Sequence, residues 1–405
     1  MTETHSSAAR HDVVVVGGGP AGLYAALLLA RRGFDVVLFE EHDAVGEPVH
    51  CTGVLAAEAY EEIDIPREAI LNALSTVQFF APSGDVVSYT TPQIEALVID
   101  RRVFDQHLHR RAAAAGVTIV AGTRVVDVRV ESAGVAVSLG NGSDAHGRVC
   151  VLACGANYVF QRRLGLGMPA AFLQSAQVEC PTAPFDDVEV HFGHAIAPSG
   201  FAWAVPVRRG SASFARVGLM CDGNAARHFA RFVSGIGERL GIPLSSDQVA
   251  ALDPRQKMLP LAPLPNTYAD RVLAVGDAAG LVKATTGGGI YYSLVSAAIA
   301  ADVLSQGLSS DTLDREYLER YEHSWRERLG PELEAQLSLR LLANRLSDEE
   351  IDMLFDLAQT DGIMPIVRRT AKFNRHRDLI LSVLKHPPAR RIFFRRLSGR
   401  PVGAI

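Results

Sequence analysis

The chain has 405 residues, 48% hydrophobic and 21% charged, which is enough for a sizeable core and two or three subdomains. A net charge of −5 gives no basic bias toward nucleic acid, and five scattered cysteines (Cys51, Cys150, Cys154, Cys180, Cys221) form neither a disulfide ladder nor a metal-spaced cluster. This usage points to a reducing cytoplasm and no metal; the polar start MTETHSSAAR argues against a signal peptide, and no apolar run approaches the roughly 20 residues that span a bilayer.

In chain order, the β-branched run Val13–Val16 predicts a buried parallel strand. Leu23–Arg32 is an Ala/Leu-rich helix stopped at Gly33, and Asp35–Glu40 is a second strand. Residues 41–97 read as irregular apart from strand-like Thr76–Phe80 and Val86–Thr90. Arg101–Ala115 carries Val103, Phe104, His107, Leu108 and Arg111 at helical spacing. Val117–Val120, Val125–Val130 and Val135–Leu139 predict a β-meander, and Arg148–Ala153 returns as a strand. From about 170 to 265, alternating segments (Ala176–Glu179, Val188–Phe192, Ala202–Val207, Ala215–Met220) predict a mostly antiparallel sheet. A helix over Ala225–Leu240 is weakened at its end by Gly235 and Gly237. Val272–Val275 is another strand, a long helix begins at Ile290, and residues 310–405 read as almost wholly helical, with no internal repeats.

Two strand–glycine–helix elements carry the chemistry. In the first, VVVVGGGPAG, Gly17, Gly19 and Gly22 form G-x-G-x-x-G after a strand and at a helix start. The first glycine permits the turn, the second lets a pyrophosphate approach the backbone, and the third packs helix on strand. The helix N-terminus favours the phosphates, and Glu40 at the end of the second strand can accept from the adenosine ribose. The motif alone fits NAD or FAD. The second element, VLAVGDAAGLVKATTGGGI over residues 272–290, puts Asp277 at a strand end, where a carboxylate can hold ribitol hydroxyls. Gly287, Gly288 and Gly289 clear space for a flat ring, and the helix from Ile290 aims its positive end at the flavin's pyrimidine edge. Two grips far apart in the chain suit one long ligand, FAD. Arg101, at a helix start, reaches the ribitol–phosphate side or stays solvated.

These residues resemble the FAD-dependent oxidoreductases of the p-hydroxybenzoate hydroxylase fold and, within it, the geranylgeranyl reductase family, over about residues 11–305. GDAAGLVKATTGGGI is similar to that family's G-D-A-A-G…G-G-G-I pattern. Pro198–Pro206 resembles its P-x-x-Y-x-W-x-F-P pattern, with Phe201 in place of the tyrosine and Val205 in place of the phenylalanine. Phe201, Trp203 and Val205 then alternate onto one face of a strand, an apolar wall for a hydrocarbon ligand. His50-Cys51-Thr52-Gly53 resembles the family's cysteine loop near the reactive face of the flavin. Either Cys51 or His50 is the proton donor, since neighbours in an extended loop face opposite sides; the alternative is a structural cysteine. Flavin hydroxylases of the fold carry an Asp-Gly pair near residue 154, where this chain has Cys154-Gly155.

The resemblance implies an α/β fold with a Rossmann-like FAD-binding domain (11–50, 98–165 and 266–308), a mostly antiparallel substrate domain (51–97 and 166–265) and a C-terminal helical region (309–405). It implies an enzyme that hydrogenates C=C bonds of a prenyl lipid or prenylated quinone from reduced FAD, with NAD(P)H or ferredoxin as electron donor. A flavin monooxygenase or halogenase and a non-catalytic prenyl-binding protein are the rival readings. Residues 366–400 hold eleven Lys/Arg against one acid, Asp378, and RRIFFRRL alternates basic and aromatic pairs. That pattern suits peripheral contact with an anionic membrane or a packed seam between solvated helices.

Overall fold

The computed structural model describes residues 10–49, 51–63, 65–242, 245, 247–248, 252–360 and 362–395. Its central sheet runs in the order Tyr268–Ala269, Val272–Ala274, Asp144–Leu152, Arg10–Val16, Val36–Phe39, Thr118–Val120. All but the first of these strands are parallel. Val13–Val16 are buried on both faces, as an unbroken β-branched run requires between two layers. Helices Pro20–Ala30, Arg101–Ala114 and Ile290–Ser310 pack together beside it.

Register fixes the site. Val16 pairs with Leu152, and Leu152 with Ala274, so three strands end level. Ala153 N–H donates to Val16 O (2.8 Å) and Val275 N–H to Leu152 O (3.0 Å), which brings Gly17, Ala153 and Gly276 to one carboxyl edge.

The expected meander is displaced by one strand. Thr118–Val120 pairs in parallel with Val37–Phe39, while Val125–Val130 and Val135–Leu139 join Asp144–Leu152. The run 117–120 is apolar enough for the central sheet, and its neighbour was not set by sequence proximity.

A seven-stranded sheet follows the order Arg255–Pro260, Phe172–Pro181, Ala212–Cys221, Phe201–Arg209, Val188–His191, Thr76–Phe80, Val86–Thr90. Only the 188–191/76–80 pair is parallel. Helix Ala225–Ile236 covers it with Phe229, Phe232, Val233 and Ile236 and stops at Gly237, short of the expected Leu240. Residues 41–97 are more ordered than expected: Val54–Ala56, Ala96–Ile99 and Ile70–Leu74 form a third sheet. Helices Arg315–Ala343, Asp348–Gln359, Met364–Thr370, Arg377–Lys385 and Pro387–Phe394 follow among the described residues. The long helix is seated by fully buried Tyr321 and Trp325, which donate to Ala274 O (2.8 Å) and Thr267 Oγ1 (2.9 Å). No helix among the described residues is long and apolar enough to cross a membrane.

Candidate active site

A cavity of about 920 Å³ joins the carboxyl edge of the central sheet to the inner face of the seven-stranded sheet. At the first glycine turn, Gly17 has φ +109°, and a Cβ there would meet Ala153 O at 2.4 Å. A Cβ on Gly22 would lie 2.0 Å from Gly17 O, so helix and strand touch backbone to backbone. Nothing lies within 4 Å of a Cβ on Gly19, which leaves the N-terminus of helix Pro20–Ala30 open. Glu40, 9% exposed, accepts from Gly18 N–H at 2.6 Å and from His42 N–H at 3.0 Å. A bare helix N-terminus with a carboxylate at the next strand end fits the adenosine diphosphate half of FAD.

The second grip faces the same cavity. Gly276 has φ +59° and leads into the turn Gly276–Ala279; a Cβ there would meet Ser293 Oγ at 2.6 Å. Tyr158 OH donates to Asp277 O (2.7 Å) and Gln161 Nε2 to Ala278 O (3.0 Å), fixing the turn from behind. A Cβ on Gly289 would lie 2.6 Å from Asp277 Oδ1, so this glycine admits the carboxylate. Gly287, Gly288 and Gly289 all line the cavity, and helix Ile290–Ser310 starts at its wall. Asp277 Oδ2 accepts from Lys257 Nζ at 2.8 Å. That pairing holds the Lys257 ammonium above its usual range against burial.

Arg101 also lines the cavity, but Asp105 holds its Nε and Nη2 at 3.0 and 2.8 Å. Burial pulls the guanidinium down, and Asp105 and Cys51 together more than offset it, so the charge is fixed. Cys51 lines the cavity beside it. Its Sγ accepts from Gly53 N–H at 3.3 Å. Buried Arg216 pins this loop by donating to Thr52 O (2.6 Å), Ile99 O (2.9 Å) and Glu179 Oε2 (2.9 Å). His50 lies outside the described residues.

Phe201, Trp203 and Val205 line the cavity from one strand. Phe201 and Trp203 meet edge to face at 5.8 Å. Trp203 pairs across the sheet with Gly218, where a Cβ would strike Cζ2 at 2.6 Å; the absent side chain lets the indole lie flat. Val205 is 2% exposed and packs with Leu74, Val98 and Val207, so it serves the core as much as the wall.

Several cavity residues were not anticipated. Gln177 Oε1 accepts from Thr52 Oγ1 (2.6 Å) and Trp203 Nε1 (3.3 Å), tying the cysteine loop to the wall. Lys257 and Gln177 sit in strands with no motif. Lys283 and Arg340 also line the cavity; a lone lysine inside the apolar, glycine-rich stretch 272–290 was the available signal for the first. Cys154 lines the cavity where flavin hydroxylases carry aspartate, and burial pushes its thiol up to about 11.

Residues 12–153 match the FAD dependent oxidoreductase family. The chain is 30% identical over 381 residues to a digeranylgeranylglycerophospholipid reductase of Methanothrix thermoacetophila, covering 87% of this chain and 93% of the relative. It is 29% identical over 356 residues to digeranylgeranylglycerophospholipid reductase 2 of Methanothermobacter thermautotrophicus, covering 85% and 91%. A crystal structure of a geranylgeranyl bacteriochlorophyll reductase-like protein from Thermoplasma acidophilum superposes with a TM-score of 0.80 at 22% identity, covering 96% of this chain and 98% of that one, which shows the shared fold. With its two cofactor cradles and this extent of similarity, the chain belongs to the geranylgeranyl reductase family of FAD-dependent oxidoreductases.

Proposed function

We propose that the protein hydrogenates isolated C=C bonds in the prenyl chain of a lipid. The observation that carries this reading is the continuity of one cavity from Gly17, Glu40 and Asp277 through Cys51 to the wall of Phe201 and Trp203. Gly17, Gly19, Gly22, Glu40, Asp277 and Gly287–Gly289 would hold FAD, which when bound supplies hydride-transfer chemistry. An unactivated alkene offers no polar handle near the bond, so orientation must come from packing. Trp203, fixed over Gly218 and hydrogen-bonded to Gln177, gives the chain a flat, rigid surface. Through Thr52 the same glutamine fixes the cysteine loop, so donor and wall keep their spacing.

The Cys51 thiol protonates one alkene carbon, and solvent returns the proton. The missing Asp-Gly pair at residue 154 counts against a monooxygenase or halogenase. NAD(P)H or ferredoxin supplies the reducing equivalents, and the basic segment 366–400 brings the protein to the lipid surface.

The test is to reduce the purified flavoprotein anaerobically, add prenyl lipids, and follow flavin reoxidation with product mass. A gain of two hydrogens per double bond is expected. Gain of oxygen or halogen, or a purified protein that takes up no FAD, overturns the reading.

A further inference from the structure

Two of the cations that line the cavity are matched by a carboxylate, Arg101 by Asp105 and Lys257 by Asp277. Lys283, which is 3% exposed and lines the same cavity, is not. Its Nζ donates to Phe373 O (3.1 Å) and Asn374 Oδ1 (2.7 Å) and sits over the rings of Phe373 and Tyr292. Glu58 and Glu332 favour its proton, yet among the described residues no carboxylate is hydrogen-bonded to it. Glu332 Oε2 is instead bonded by the His376 and Arg377 N–H groups. Burial outweighs both glutamates and pulls the ammonium down to about 7. A buried charge without a counter-charge is costly, so its presence points to an anion that the chain itself does not supply.

The backbone ties this charge to the glycine-rich loop. Lys283 N–H donates to Gly288 O (3.1 Å) and Gly287 N–H to Lys283 O (2.8 Å), so residues 283–288 close on themselves. A Cβ on Gly288 would lie 3.8 Å from Lys283 Cε. Arg340 holds the middle of the loop by donating to Ala284 O (2.8 Å) and Thr285 O (2.7 Å). The loop ends at Gly289, the N-cap of helix Ile290–Ser310, which offers no side chain to the free N–H groups of the first turn. Asn374, 2% exposed, lines the cavity as well, and its Nδ2 has no partner. A charge, a helix N-terminus and an open amide donor therefore share one wall.

We infer that Lys283 tunes the bound flavin, its ammonium answering the negative charge that the pyrimidine edge of the ring takes up on reduction. The positive end of helix Ile290–Ser310 acts with the same sign. Together they favour the reduced cofactor over the oxidised one and raise its reduction potential, which eases electron delivery from the donor. The inference rests on the cofactor site proposed above and is independent of which alkene is reduced.

The test uses the full-length, FAD-loaded protein and no prenyl substrate. Sulfite adds to oxidised flavin and leaves on the ring the negative charge that reduction brings. Its dissociation constant, read from bleaching of the visible flavin band, therefore reports positive charge at the pyrimidine edge. Reduction against a reference dye gives the potential. Lys283→Met should weaken sulfite binding by about tenfold or more and lower the potential by about 30 mV or more, the same factor expressed for two electrons. Lys283→Arg should recover part of both. His376→Gln disturbs the same C-terminal loop and keeps the charge, so it should match the wild type. A Lys283→Met protein that keeps its FAD and matches the wild type in both readouts overturns the inference. So does a His376→Gln protein shifted as far as Lys283→Met, since the effect would then be packing. If Lys283→Met takes up no FAD, the wild type decides: bleaching by sulfite supports the inference, and a flavin that sulfite fails to bleach overturns it. Neither measurement involves alkene reduction, so failure of the reductase reading and failure of this one are separate results.

Discussion

Gly22 is the position least able to accept a side chain. The Gly17 carbonyl occupies the space a Cβ would need, and both belong to backbone that cannot move away. Gly22→Ala is expected to yield protein that binds no flavin, seen as lost flavin absorbance after reconstitution; retention of FAD would mean the turn can reshape. Cys51→Ala should keep its FAD and lose about 10²- to 10⁴-fold in the rate of alkene reduction, the usual contribution of one positioned proton donor. Single-turnover reoxidation of pre-reduced protein measures it, and an undiminished rate would move the proton donation elsewhere. The residues legible in the sequence were those whose roles are local. Gly17, Gly22, Glu40 and Asp277 sit at strand ends within recognisable spacings. Lys257 and Gln177 were not legible, because they meet Asp277 and Thr52 only when the second sheet folds over the first. Arg101 lines the cavity, but its partner Asp105, one helical turn on, was missed.

The strand Phe201–Arg209 works as a unit with its neighbour Ala212–Cys221. The wall is flat because Gly218 stands under Trp203. Gly218→Val should lift the indole, weaken its bond to Gln177, and cost about 1–3 kcal/mol through overpacking. Denaturant unfolding gives the stability change, and a set of prenyl chains of different length shows the altered slot; an unchanged length profile would remove Trp203 from the wall. Elements with a strong period were legible: the parallel core, the alternating strands of the second sheet, and the helices. The strand Arg255–Pro260 was not, since RQKMLP opens on three polar residues with no alternation and is exposed at three of its six positions, and backbone pairing with Phe172–Gln177 holds it in the sheet. The third sheet escaped for another reason: its strands are three to five residues long, too short for a period to register.

At the scale of the molecule, the helix Arg315–Ala343 and the loop at Phe373 and Asn374 wall one side of the cavity, and His376 is bonded at that junction. Its Nδ1 lies 2.7 Å from Thr285 Oγ1 and its Nε2 2.9 Å from Phe373 O. Burial, aided by the Lys283 charge, lowers His376 from 6.5 to about 4. The folded state therefore refuses a proton that the unfolded state binds between pH 4 and 6.5. Stability from this group is complete above 6.5, falls by about 1.4 kcal/mol per pH unit across the window, and is gone below 4. His376→Gln should flatten that part of the urea-midpoint profile relative to wild type; parallel profiles would rule out the assignment. On the outer surface, Arg390, Arg391 and Phe394 are exposed, while Ile392 packs inward. We expect the protein to float with anionic but not neutral vesicles in low salt and to be released by high salt; failure to float under any condition would assign the segment to helix packing alone. The split cofactor cradle bears on how the protein is made. Gly17 and Asp277 are more than 250 residues apart, yet their strands run side by side with only Asp144–Leu152 between them. During synthesis the first turn emerges from the ribosome early and waits for most of the chain before its other half exists. On the proposed cofactor site, flavin capture is expected to be a late event in biogenesis, with FAD then stapling the two halves of the finished topology.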